Sequence, residues 1–125
     1  MYKVLVFAGT TEGYEICRFL ADHKIETKGF VATEYGSKSL TESEFLTVQT
    51  GRLDAAAMEE IFLQEKPEMV LDATHPYAAE VTVNIRTACE NTQTAYYRVL
   101  REAGEHEDRA VYVDSVQALS LIHIS

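Results

Sequence analysis

Short apolar runs alternate with longer amphipathic stretches along this chain, and each kind of stretch predicts one kind of element. Continuous apolar or β-branched runs predict strands over Val4–Ala8, Thr27–Thr33, Phe45–Gln49, Met69–Ala73, Ala95–Leu100 and Ala110–Val113. Apolar residues at helical spacing predict helices over Thr11–His23, Asp54–Glu65 and Pro76–Asn91. This alternation is typical of the α/β class, and it predicts a doubly wound, mostly parallel sheet with helices on both faces.

Local signals mark the starts of the predicted helices. Asp54 is predicted to cap the second helix, because its carboxylate can accept from a first-turn amide. Pro76 suits the first position of the third helix, where a missing N–H needs no partner. Thr74 or His75 would then cap that helix. A further helix is predicted to begin after Ser115.

The 125 residues amount to one domain or to part of a larger one, and their composition is that of a soluble globular protein. The apolar runs are far shorter than the ~20 residues of a membrane helix. The chain enters a strand at Val4 without a signal peptide, so we expect a cytoplasmic protein that does not contact membranes. The net charge of −9 argues against nucleic acid as a partner, and an anionic ligand would therefore need a local site.

The cysteine pattern predicts thiols and no metal site. Cys17 and Cys89 fall in two different predicted helices and lack the paired spacing of metal ligands. Two buried thiols in a reducing compartment are therefore expected in preference to a disulfide.

A glycine-containing loop joins the first strand to the first helix. In open α/β sheets, ligands bind beyond the carboxyl ends of the strands, where the strand order reverses. The loop residues there are Gly9, Thr10, Thr11, Glu12 and Gly13. They would let a phosphate approach backbone amides at a helix N-terminus. The alternative is that the two glycines only permit a tight turn; the P-loop spacing is absent.

The residues after the second strand bear on the choice of cofactor. A site for NAD would carry an acidic residue at the end of this strand, where Ala32 and Thr33 stand instead. Ser37 and Lys38 follow shortly and suit a 2′-phosphate, which favours NADPH over NADH. An ordinary polar loop is the alternative for this segment.

The fourth strand leads into a dense group of polar residues at the same edge of the sheet. Thr74 and His75 are expected to face a cofactor or a substrate, and Tyr77 to form a flat wall. His75 is also a possible proton donor. Arginines at the ends of strands are suited to binding carboxylates, with surface ion pairing as the alternative. These arginines are Arg52, Arg98 and Arg101.

Four of these segments together resemble the precorrin-6A reductase family of cobalamin biosynthesis. They are Gly9-Thr10-Thr11-Glu12-Gly13, Gly51-Arg52-Leu53, Asp72-Ala73-Thr74-His75-Pro76-Tyr77-Ala78, and Tyr97-Arg98 with Arg101. The resemblance implies a Rossmann-like fold and an NAD(P)H-dependent reductase that transfers hydride to a double bond of precorrin-6A or cobalt-precorrin-6A. It places the cofactor on Gly9 to Gly13. Ala8 and Tyr14 depart from the family, which usually has glycine and often arginine at these positions.

The resemblance covers residues 4 to about 102, the N-terminal half of a family chain. Residues 1–118 are therefore predicted to form the nucleotide-binding domain, and 119–125, which look like a translated transposon end, a non-native tail. Because family members bind the tetrapyrrole between this half and a second one, a module that binds cofactor without turnover is the alternative to a reductase. The residues Tyr96–Glu102 look more like the cobalt-containing branch.

Overall fold

The computed structural model describes residues 2–34 and 38–99. The strands and helices along them are, in chain order, β1 (Val4–Ala8), α1 (Thr11–Asp22), β2 (Thr27–Val31), β3 (Leu46–Thr50), α2 (Ala55–Glu65), β4 (Met69–Ala73), α3 (Ala79–Thr92) and β5 (Tyr96–Arg98). The predicted strand over Ala110–Val113, the helix after Ser115 and the tail over 119–125 lie outside the described residues.

The strands form one sheet in the order β3-β2-β1-β4-β5, and every neighbouring pair of them is parallel. The chain starts at β1, moves outward through β2 to β3, and then returns across the sheet to β4 and β5. The strand order therefore reverses between β1 and β4, whose residues pair directly from Val4 opposite Met69 to Ala8 opposite Ala73. The prediction of a doubly wound parallel sheet is confirmed.

Two apolar layers cover the sheet. Val4, Val6 and Ala8 of β1 lie in the cluster under α1, whereas Leu5 and Phe7 belong to the cluster under α2 and α3. Successive side chains of a strand point to opposite faces, so an element that is apolar throughout needs a layer on each side. The two layers explain why β1 is apolar at every position.

The helix starts follow local hydrogen bonding. Thr10 caps α1 with its hydroxyl, and Asp54 caps α2 by accepting from the Ala57 amide at 2.8 Å, as predicted. The prediction for α3 was wrong, because this helix begins at Ala79 and its cap residue, Ala78, makes no side-chain hydrogen bond.

Other partners occupy the two side chains that were expected to cap α3. The Thr74 hydroxyl donates to Asp72 Oδ1 at 2.7 Å, and His75 Nδ1 accepts from the Tyr77 amide at 3.1 Å. Pro76 consequently lies in a turn before the helix, closed by the Ala78 amide on the His75 carbonyl at 2.9 Å.

Candidate functional site

A cleft of about 740 Å³ opens at the carboxyl edge of the sheet, at the reversal between β1 and β4. Residues that follow β1, β3 and β4 line it together with the first turns of α2 and α3. Gly9, Thr74, His75 and Tyr77 all border this cleft, as the sequence predicts for neighbouring strands at a switch point. Its floor includes the stacked rings of Phe7 and Phe30, with centroids 4.6 Å apart.

The loop after β1 is held against the end of β4. The Gly9 amide and the Thr10 hydroxyl both donate to the Ala73 carbonyl, at 3.2 and 2.8 Å. The Thr10 hydroxyl also accepts from the Gly13 amide at 3.3 Å, which starts α1. A Cβ placed on Gly9 would lie 3.5 Å from Thr74 Cα, an ordinary contact. The glycine thus leaves unfilled space at the cleft and relieves no steric clash.

Gly13 has a different role from Gly9, because it lies in the first turn of α1 and outside the cleft lining. A Cβ at this position would lie 2.9 Å from Ala8 Cα and 3.0 Å from Ala73 Cβ, closer than side chains pack. Gly13 therefore allows α1 to approach β1 and β4 closely, which is one known use of glycine in such loops. Glu12 is buried beside it, whereas Thr11 is exposed at the start of α1.

The ends of β2 and β3 bring an arginine into the cleft. The Gly51 amide donates to the Val31 carbonyl at 2.9 Å, and Gly51 adopts a φ of 126°, which favours glycine. Arg52 follows directly, is exposed and lines the cleft, as does Ala32 at the end of β2. Lys38 is exposed but is not among the lining residues. Ser37 and Arg101 lie outside the described residues.

A buried carboxylate organises the polar segment after β4. Asp72 has no exposed surface, and it is the one charged residue of β4, whose other residues are apolar. Its oxygens accept five hydrogen bonds, from the Thr74 amide and hydroxyl, the Thr82 hydroxyl, the Tyr96 hydroxyl and Arg98 Nη1. No role was predicted for Asp72, although a charged residue inside an apolar strand is a recognisable signal.

This network changes the interpretation of Arg98. Its Nη1 lies 3.0 Å from Asp72 Oδ1 and also donates to the Asp72 carbonyl, so the guanidinium is engaged within the fold. Arg98 is not among the residues that line the cleft. Burial, and then the hydrogen bond to Asp72, raise the pKa of Tyr96, which keeps its hydroxyl protonated as a donor.

His75 and Tyr77 lie at the mouth of the cleft. The Tyr77 side chain is 91% exposed, and its ring centroid is 5.0 Å from that of His75. Because His75 Nδ1 accepts from the Tyr77 amide, the neutral imidazole carries its proton on Nε2. The exposed imidazole thus has an N–H hydrogen-bond donor on Nε2.

The described part of the chain contains neither a cluster of metal ligands nor a membrane-spanning helix. Residues 2–34 and 38–99 contain no group of three or more His, Cys, Asp or Glu side chains placed to hold a metal ion. Within the same residues, no helix has the length and apolar character needed to cross a bilayer.

Comparison with known proteins gives concordant matches. The family model described as "Precorrin-6x reductase CbiJ/CobK" matches residues 3–124. The cobalt-precorrin-6A reductase of Methanothermobacter thermautotrophicus is 34% identical over 100 residues, which are 79% of this chain and 33% of that protein. The precorrin-6A reductase of Rhodobacter capsulatus is 31% identical over 96 residues, covering 76% and 37%.

Solved structures agree in fold. A structure titled CobK precorrin-6A reductase superposes with a TM-score of 0.69 at 28% identity, covering 85% of this chain and 42% of that one. The enzyme WbmH of Bordetella bronchiseptica, solved with NAD⁺, has a TM-score of 0.58 at 19% identity, covering 75% and 36%. This second likeness concerns the fold alone. The chain spans between a third and two fifths of the length of these curated relatives, and it belongs to the precorrin-6x reductase CbiJ/CobK family.

Proposed function

We propose that this chain supplies the NAD(P)H-binding part of a precorrin-6A reductase of cobalamin biosynthesis. The observation that carries the proposal is the cleft at the strand-order reversal, bordered by Gly9 on one side and by Thr74 and His75 on the other. Family membership supports a reductase, and dinucleotides bind at this position in doubly wound sheets. The fold neighbour WbmH was solved with NAD⁺.

The residues on the two sides of the cleft fit a dinucleotide. The space beside Gly9 is one that a Cβ would fill, which is the room a pyrophosphate needs to approach the backbone. The N-terminus of α1 begins two residues later and favours negative charge. The bound cofactor would supply the hydride; the chain would orient it through Thr74 and His75 and shield it with the ring of Tyr77.

The choice between NADPH and NADH depends on which cation can reach a 2′-phosphate. Ala32 at the end of β2 provides no carboxylate for ribose hydroxyls, which supports NADPH. Lys38, with Ser37, is one candidate for the 2′-phosphate. Arg52 is another, because it lies in the cleft beside the end of β2, although the sequence alone favoured a role in binding substrate carboxylates.

A pair of single variants separates the two cations. If Arg52 contacts the 2′-phosphate, Arg52→Ala lowers the affinity for NADPH by about tenfold, the value of a lost charge-assisted contact, and leaves that for NADH unchanged. Lys38→Ala is the matched control, since it removes one exposed cation outside the cleft lining. Both affinities are measured by fluorescence titration of each cofactor. If Lys38→Ala weakens NADPH binding and Arg52→Ala does not, the 2′-phosphate contact belongs to Lys38.

We further propose that the reduced substrate is precorrin-6A or cobalt-precorrin-6A, a tetrapyrrole with acidic side chains. Arg101 is a candidate for binding these carboxylates, and Arg98 would need to leave Asp72 to do so. His75 at the mouth of the cleft is a candidate proton donor. The imidazolium that donates the proton carries protons on both ring nitrogens, so Nδ1 must first give up the hydrogen bond from the Tyr77 amide. Two buried thiols, Cys17 and Cys89, support a reducing compartment, and we propose the cytoplasm.

The decisive experiment measures binding and turnover separately on the whole chain. NADPH and NADH are titrated first, and the loss of NADPH absorbance is then followed with precorrin-6A and with its cobalt form. Binding with turnover supports the reductase, and binding without turnover supports the alternative of a non-catalytic nucleotide-binding module. A folded chain that binds neither cofactor would refute the proposal.

A further inference from the structure

The two carboxylate oxygens of Asp72 serve different parts of the fold. Oδ1 accepts from the Thr74 amide at 3.1 Å, from the Thr74 hydroxyl at 2.7 Å and from Arg98 Nη1 at 3.0 Å. Oδ2 accepts from the Thr82 hydroxyl of α3 at 2.9 Å and from the Tyr96 hydroxyl of β5 at 2.8 Å. One oxygen thus holds the segment that borders the cleft, and the other holds elements behind it.

The segment held by Oδ1 has few other fixed points. It begins at Thr74, directly after β4, and ends where α3 starts at Ala79 without a side-chain cap. The contacts inside it are a turn between His75 and Ala78 and the amide of Tyr77 on His75 Nδ1. These bonds shape the segment internally, whereas the bonds from Thr74 to Asp72 attach it to the sheet. The Thr74 hydroxyl makes two longer contacts as well, with Arg98 Nη1 of β5 at 3.3 Å and with Thr82 Oγ1 of α3 at 3.4 Å.

Thr74 also lies directly beside Gly9 at the cleft. The nearest atoms to a Cβ placed on Gly9 are Thr74 Cα at 3.5 Å and His75 N at 3.7 Å. Because Thr74 is bonded to Asp72 through both its amide and its hydroxyl, its backbone cannot move away from Gly9 without breaking two hydrogen bonds.

Stability alone does not explain an acid at this position. Asp72 is fully buried in a strand whose other residues are apolar, and apolar replacements of buried ion pairs are often neutral or stabilising. An apolar side chain would fill the space but could not accept from the Thr74 amide. The carboxylate therefore gives the segment at the cleft a hydrogen-bond acceptor, which an apolar side chain cannot provide.

We propose that Asp72 is a positioning residue for the cofactor site: through Oδ1 it holds Thr74 at the distance from Gly9 that a dinucleotide requires. The inference rests on the proposed function, because it takes the cleft to be the cofactor site. Asp72 acts from beneath the segment and does not itself border the cleft.

The test compares variants on the two oxygens of the same carboxylate. Thr74→Val removes a hydroxyl donor from Oδ1, and Tyr96→Phe, the matched control, removes one from Oδ2. Both are measured by NADPH titration and by thermal unfolding. We expect Thr74→Val to weaken NADPH binding by about tenfold, as misplaced contact groups do, and Tyr96→Phe to leave it unchanged at a similar loss of stability.

Substitutions of Asp72 itself extend the comparison. In Asp72→Asn the amide oxygen can still accept from Thr74, and its NH₂ group can donate to the hydroxyls of Thr82 and Tyr96, so we expect NADPH affinity to be largely retained. Asp72→Ala should lose NADPH affinity, because an alanine side chain cannot accept from the Thr74 amide or hydroxyl. In the free protein, the backbone amide resonances of Gly9, Tyr77 and Ala78, which are not chain neighbours of a substituted residue, should shift in Asp72→Ala and Thr74→Val, and stay in place in Tyr96→Phe.

The outcomes separate this inference from the function on which it rests. Failure of the wild-type chain to bind NADPH overturns both. If the wild type binds, and Thr74→Val binds as tightly or Tyr96→Phe loses as much affinity, the inference alone is overturned. Should Asp72→Ala not fold, the amide resonances of Thr74→Val and Tyr96→Phe still decide, because they are recorded without cofactor and do not depend on a direct contact between the Thr74 hydroxyl and NADPH. Unchanged resonances in Thr74→Val would overturn the inference.

Discussion

Gly9 and Gly13 are four positions apart in the same loop and helix start, yet the structure gives them separate tasks. The space at Gly9 faces the cleft and tolerates a Cβ, whereas the space at Gly13 is occupied by Ala8 and Ala73. A glycine required for ligand approach and one required for packing look alike in a sequence. They differ in the atoms that a methyl group on each glycine would contact.

The pair therefore predicts opposite effects of the same substitution. Gly9→Ala should leave the free energy of unfolding nearly unchanged and weaken NADPH binding, because its methyl group enters the space beside Thr74. Gly13→Ala should lower the stability by about 1–3 kcal/mol through overpacking against Ala8. Urea unfolding and NADPH titration of both variants check this. Equal destabilisation by the two would contradict it.

At the scale of elements, the helices begin in different ways. α2 has a side-chain cap, since Asp54 Oδ1 accepts from the Ala57 amide at 2.8 Å, and α3 has none. The start of α3 is instead joined to the sheet through Thr82 and Asp72. A local signal therefore suffices for α2, whereas α3 depends on a contact with a residue ten positions earlier in the chain.

This difference predicts how α2 responds to the loss of its cap. Asp54→Ala should lower the free energy of unfolding by about 1 kcal/mol, because the Ala57 amide loses its acceptor. Asp54→Ser restores an acceptor oxygen without the charge and should recover most of that loss. Chemical denaturation of the three proteins gives the answer; a serine variant as unstable as the alanine variant would argue against capping.

For the whole molecule, the two layers around the sheet each contain one cysteine. Cys17 lies in the layer under α1, and Cys89 in the layer under α2 and α3, and both are unpaired and buried as expected from the sequence. Burial raises the pKa of Cys17 to about 12, opposed by Arg18. Burial, and then the charge of Asp72, raise that of Cys89 to about 12.

These pKa values make the thiols reporters of the intact fold. At about pH 8 the thiolate fraction is about a thousandfold below that of a thiol with the ordinary pKa of 9.0, so alkylation should be very slow until the chain unfolds. The neutral thiols favour the folded state fully below about pH 9, and this contribution is lost as the pH rises through 12. Mass spectrometry after alkylation with and without urea measures how fast the two thiols are labelled in the folded and in the unfolded chain. Rapid labelling of the native protein would contradict the two-layered core.

The sequence by itself determined the fold class, the positions of β1 and β4, and the edge of the sheet that carries the cleft. Apolar runs that are buried on both faces are recognisable locally, and parallel strands that alternate with helices must bring their carboxyl ends to one edge. The cap at Asp54 was predictable for the same reason, since donor and acceptor lie three residues apart.

Only the tertiary structure decided what Asp72, Arg98, Gly13 and the start of α3 do. Asp72 meets Thr82 and Tyr96 because α3 and β5 pack beside β4, and these residues are 10 and 24 positions away. Arg98, expected at a substrate, is bonded to Asp72, and the Thr74 hydroxyl, expected as a cap, is bonded there too. A buried charge takes whichever partners the fold brings within hydrogen-bond distance, and no local pattern of residues specifies those partners.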